Sequence, residues 1–73
     1  MKFDGRALLN LRTEQGLTQE ELAAACGTTF STISRLERGA QGEPTLGTVQ
    51  KIADALGVEP TALLILNGAS EPA

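Results

Sequence analysis

Between residues 29 and 39 the chain places Phe30, Ser31, Ser34, Arg35 and Arg38 at helical spacing, with Thr32 to one side. On an α-helix, Ile33 and Leu36 form the apolar stripe and the other five side chains fall opposite it. Hydroxyls bond to base edges and phosphate oxygens, and a guanidinium grips guanine O6 and N7 through two parallel bonds. Such a face suits duplex DNA. The same residues would also make an ordinary solvated face with one stray Phe, since single exposed apolar residues are common. The scarcity of Lys and Glu along this helix favours the binding reading.

A second helix must hold that face in place, and the stretch LTQEELAAACGTTFSTISRLERG at residues 17–39 supplies it. Thr18 followed by Glu21 is a capping box, and Leu17 with Leu22 is a hydrophobic staple. Leu22, Ala23 and Cys26 share one face, and Gly27 provides the left-handed residue that ends the helix. Thr29 caps the next helix, and Gly39 stops it. Two capped helices joined by a tight glycine turn make a helix-turn-helix. Gln19 stands at the first turn of the leading helix, where orphan N–H groups and the positive dipole end attract phosphate. It reads equally well as an exposed polar residue with no partner. Cys26 reads as a small core residue, because free Cys is among the most buried types.

The first helix is expected over 5–15, capped by Asp4 and stopped by Gly16, with Leu8 and Leu11 facing inward. Arg12 lies four residues beyond Leu8, and Glu37 four beyond Ile33, so each charge sits on an apolar stripe. Two such charges satisfy each other, or else each reaches solvent at its stripe edge; an unpaired buried charge is costly.

These blocks resemble the Cro/CI-type (lambda-repressor-like, XRE) family of helix-turn-helix DNA-binding proteins. Ala23, Gly27, Ile33 and Leu36 match its small crossing residue, turn glycine and second-helix core. LNLRTEQGLTQEELA, ISRLERG and KIADALGV match its flanking blocks, so the resemblance covers residues 8–64. It implies an all-α, compact five-helix lambda-repressor-like bundle with helices 2 and 3 as the helix-turn-helix. It implies a structural ion pair between Arg12 and Glu37, and contact of Gln19 with the DNA backbone. The candidate DNA contacts are then Gln19, Thr29, Phe30, Ser31, Thr32, Ser34, Arg35, Arg38 and Gln41. Two departures stand out. Many members carry glutamine at the Phe30 position to read adenine; Phe offers contact to a thymine methyl or to a protein. The loop Ala40-Gln41-Gly42-Glu43 lacks the Lys or Arg that many relatives place there, leaving backbone N–H groups beside the glycines as substitutes.

Beyond this loop, Thr45 caps a fourth helix with Val49, Ile52, Ala53 and Leu56 inward, ended by Gly57 and Val58. Pro60 opens an expected fifth helix. Leu63, Leu64, Ile65 and Leu66 are four consecutive apolar residues, which no single helical face buries. They form a homodimer interface, as the family resemblance implies, or the frayed end of a helix folded back on the core. The expected organisation is one DNA-binding domain over 1–66 and a disordered polar tail over 67–73.

Bulk properties bound the rest. Seventy-three residues suffice for one small domain. One Cys and no His exclude a disulfide framework and an ordinary zinc site. No apolar run suits a membrane span or a signal peptide, which makes the cytoplasm the expected location. No nucleophile or acid–base pair stands out, so an enzyme is not expected, nor a metal or cofactor. The formal net charge of −3 is unusual for a nucleic-acid binder. Within 29–39, however, Arg35 and Arg38 face a single acid, Glu37, and its internal neutralisation would leave a basic island. Two functions compete: a transcriptional regulator, repressing through a palindromic operator bound by a dimer, and a protein-interaction module such as an antitoxin or adaptor. A regulatory protein partner is compatible with either.

Overall fold

Each of the four α-helices among the described residues starts at a side-chain oxygen that takes up N–H groups the first turn leaves unpaired. The computed structural model describes residues 2–40 and 44–65. Helix α1 (Gly5–Glu14) begins at Asp4, whose Oδ1 accepts from the Arg6 and Ala7 N–H groups. Helix α2 (Gln19–Cys26) begins at Thr18, and the capping box with Glu21 is complete in both directions. Thr29 and Thr45 open α3 (Phe30–Arg38) and α4 (Leu46–Leu56), each accepting from the N–H three residues on. Between α2 and α3, Gly27 takes φ 74°, a left-handed conformation that L side chains rarely adopt. Its neighbour Thr28 then donates its N–H to the Ala23 carbonyl at 2.9 Å, which seals the end of α2 and turns the chain sharply into α3.

The core is assembled from one stripe of each helix. Leu8 comes from α1, Leu22, Ala23 and Cys26 from α2, Ile33 and Leu36 from α3, and Val49, Ile52, Ala53 and Leu56 from α4. Leu63 completes it from the C-terminal segment with no exposed surface. Each of the fully buried Leu and Ile side chains is worth about 1.5–3 kcal/mol relative to exposure. Gln15 adds a polar tie: its Nε2 donates to the carbonyl oxygen of Leu56 at 2.6 Å, satisfying an orphan acceptor at the end of α4.

The C-terminal segment departs from expectation. In place of a fifth α-helix there is one 3₁₀ turn, Pro60–Leu63, followed by a short strand, β2 (Leu64–Ile65). That strand pairs antiparallel with β1 (Lys2–Phe3), Lys2 opposite Ile65 and Phe3 opposite Leu64. The described fold is therefore mostly helical, with four α-helices and a two-stranded sheet, and not the expected all-α five-helix bundle. The run of apolar residues is the reason. The 3₁₀ turn brings Leu63 into the core and the extended backbone after it half-buries Leu64, an arrangement that continued α-helix could not give consecutive residues. Pairing with β1 then satisfies backbone groups on both segments, and the Asp4 N–H donates to the Leu63 carbonyl at 2.7 Å. Leu66 and the expected tail over 67–73 lie outside the described residues, as does Gln41. Among the described residues, no helix is long and apolar enough to cross a membrane.

Candidate nucleic-acid interface

Burial of Ile33 and Leu36 sets the roll of α3 and decides which side chains it shows to solvent. Phe30 is 49% exposed although it is a large aromatic, and Ser31, Arg35 and Arg38 are exposed beside it. Thr32 and Ser34 are half-buried flanks of that face. Thr29 is exposed, but its oxygen already accepts from the Thr32 N–H at 3.2 Å and shares a proton with the Thr32 hydroxyl at 3.0 Å. The cap is thus a structural device first. Arg38 folds back along its helix, its Nε donating to the Ser34 carbonyl at 3.4 Å, which leaves Arg35 the more freely projecting guanidinium.

The single acid of α3 is turned the other way. Glu37 faces α1, where its Oε2 accepts from Arg12 Nε at 2.5 Å and its Oε1 from Arg12 Nη2 at 3.3 Å. The side chains are only 12% and 4% exposed for Arg12 and Glu37, so the pair is largely withdrawn from water. Arg12 Nη1 donates in addition to the Leu17 carbonyl at 2.7 Å, which pins the segment leading into α2. A forked guanidinium bound at three points locks α1, the α2 approach and α3 in one orientation. With Glu37 engaged there, the outward face of α3 carries only positive charge.

Gln19 does not simply point to solvent. Its Nε2 donates to Glu37 Oε1 at 2.8 Å, which joins the start of α2 to the ion pair. No periodicity in the sequence signals this bond, because it joins side chains of two different helices, 18 residues apart. Gly5 is likewise invisible as a contact in the sequence. An added Cβ there would collide with the Leu36 carbonyl oxygen and lie 3.0 Å from that of Glu37, so the start of α1 is pressed against the end of α3. Leu63, expected at a dimer surface, is instead in the core, because the 3₁₀ turn directs it inward. Leu64 is half-buried and Ile65 is 37% exposed.

Beside the α3 face, the α2–α3 turn and the start of α4 flank a cleft of about 300 Å³ lined in part by Thr28, Thr32, Thr45, Thr48 and Lys51. Its polar lining is four hydroxyls and one ammonium, with Cys26, Pro44 and Ile52 beside them, which offers hydrogen bonding. Burial holds the Cys26 thiol above its ordinary range, so it stays protonated at neutral pH and behaves as a packing group. Among the described residues, no group of His, Cys, Asp or Glu could hold a metal ion.

The geometry is that of a helix-turn-helix, and the family model for that motif, HTH_3, matches residues 8–63. The chain belongs to the HTH_3 family. It is 43% identical over 63 residues to an uncharacterized HTH-type transcriptional regulator, y4dJ, of Sinorhizobium fredii, covering 86% of this chain and 80% of that protein. The HTH-type transcriptional repressor RghR of Bacillus subtilis, 37% identical over 68 residues, is longer, and the chain spans half of its length. Among solved structures it is similar to the restriction-modification controller protein C.AhdI of Aeromonas hydrophila, with TM-score 0.78 and 40% identity over 82% of this chain and 86% of that one. The P22 c2 repressor, solved in complex with a synthetic operator, superposes with TM-score 0.78 at 25% identity, covering 88% of this chain and 96% of that one. HTH_3 membership makes the protein a helix-turn-helix transcriptional regulator by class, and α2 with α3 is the motif that defines it.

Proposed function

We propose that the protein is a sequence-specific DNA-binding repressor of the cytoplasm that lays α3 in the major groove and α2 across the backbone. The observation that carries this reading is the outward face of α3. It presents Phe30, Ser31, Arg35 and Arg38 to solvent while the helix's one carboxylate is consumed by Arg12. Arg35 reads a base edge, and Arg38 holds phosphate from nearer the helix end. Phe30 packs on a thymine methyl in place of a glutamine–adenine contact. Ser31 and Ser34 bond to base edges or phosphates; Thr29 and Thr32 border the same surface, and Gln41 is a further contact that the family resemblance implies. A two-fold dimer reads a palindromic operator, paired through the exposed Ile65 with the half-buried Leu64 and with Leu66. The similarity to the P22 c2 repressor, solved with a synthetic operator, supports DNA binding.

A second reading, the protein-interaction module (antitoxin or adaptor), is favoured by the exposed Phe30 ring and the surplus of acid. A gel shift against the DNA upstream of the protein's own gene separates the two. A retarded complex that excess scrambled DNA does not displace supports the repressor. Absence of any shift, with Phe30 and Arg35 needed for a protein complex, supports the module. Sedimentation at high concentration tests pairing, and a wild type that stays monomeric there overturns the dimer.

A further inference from the structure

The carboxylate of Glu37 has two partners, and the second is the first residue of α2. Oε2 is taken by Arg12, whereas Oε1 receives both Arg12 Nη2 and Gln19 Nε2, the latter at 2.8 Å. A carboxylate only accepts, so the carboxamide of Gln19 has no choice of orientation: its NH2 end faces inward and its oxygen faces away. One of the two amide protons is spent on Glu37 and one is left. Gln19 is the first residue of α2, half-buried, at the helix end whose dipole attracts anions.

We propose that Glu37 is a positioning residue for DNA binding that acts through Gln19, holding the carboxamide so that its remaining N–H meets a phosphate oxygen. This rests on the DNA-binding reading above and adds a role for the ion pair beyond holding helices together. With glutamine at position 37, the oxygen of the new side chain would turn to Arg12 and its NH2 to Gln19. The Gln19 carboxamide would then rotate to offer its oxygen inward, and the phosphate donor would be lost from its place.

The test is a double-mutant cycle on duplex affinity, using an operator selected from a random duplex pool and a scrambled duplex of equal length. Gln19→Ala weakens both duplexes roughly tenfold, the loss expected for one hydrogen bond to a charged oxygen. Glu37→Gln weakens them similarly in the wild-type background and adds no further loss in the Gln19→Ala background. A purely structural Glu37 would weaken binding equally in both backgrounds, and that result overturns the proposal. Should Glu37→Gln not fold, Glu37→Asp keeps the countercharge for Arg12 while drawing the carboxylate back from Gln19, and the same cycle applies. NMR of the wild type alone gives a second readout: one Gln19 side-chain amide proton exchanges slowly and its geminal partner at the solvent rate. Fast exchange of both overturns the positioning. A wild type that binds no duplex sinks the DNA-binding reading along with this one, whereas duplex binding that ignores Gln19→Ala sinks this one alone.

Discussion

At the scale of single residues, the molecule's most consequential choice is to engage the one acid of α3 internally. Breaking the Arg12–Glu37 pair from one side leaves a charge in a place with little water, which costs about 3–5 kcal/mol. Glu37→Gln is therefore expected to lower the denaturant midpoint sharply, and Arg12→Met combined with Glu37→Leu to lower it much less. Wild-type stability in the single variant would show that Arg12 finds water unaided. Gly5 makes a second residue-scale prediction. Gly5→Ala drives a methyl into backbone carbonyls that cannot swing aside, so a loss of about 1–3 kcal/mol is expected in chemical denaturation. A neutral Gly5→Ala would mean that α1 sits further from α3. The buried thiol of Cys26, held protonated, is expected to alkylate slowly in the native state and quickly in denaturant. Equal rates would contradict its burial.

At the scale of elements, the caps were legible because their chemistry is local. Thr18 with Glu21, Thr29, Thr45 and the glycines at 27, 39 and 57 each act within a few residues, and a reader of the chain meets all the parties at once. Thr29→Ala is expected to cost about 1 kcal/mol through the lost cap, measurable as a shifted thermal midpoint. The C-terminal segment was not legible. Its partner strand lies at the other end of the chain, and two residues are too few to display a period. The apolar run showed that some of it must be buried, but not that Leu63 would be the one. Leu63→Lys should abolish helicity by circular dichroism, while Ile65→Lys should keep it. Similar losses in both would place Ile65 in the core; no loss in either would remove Leu63 from it. The network joining Gln19, Glu37 and Arg12 was half legible: helical spacing put both charges on inward stripes, but nothing local tied Gln19 to them.

At the scale of the whole molecule, an acidic body carries a cationic α3 face, and the two effects compete over different distances. The net charge of −3 acts at long range and is screened within about 10 Å at ordinary ionic strength. Arg35 and Arg38 act at contact. Binding should therefore be modest in affinity, with a salt slope of about −0.9 for each phosphate contact and few such contacts. Arg38→Ala is expected to weaken operator and scrambled duplex alike and to flatten the slope by about one unit. An unchanged slope would remove Arg38 from the backbone.

The claim on which the rest depends is that α3 reads bases through Arg35. The direct measurement is the dissociation constant of wild type and Arg35→Ala on the selected operator, on single-base-pair variants across each half-site, and on scrambled duplex, all at one salt concentration. Wild type should prefer the operator. Arg35→Ala should lose about 1–3 kcal/mol on it, tolerate every base at one position of the half-site, and bind scrambled duplex much as before. A uniform loss on every sequence, with discrimination at all positions intact, would contradict the account.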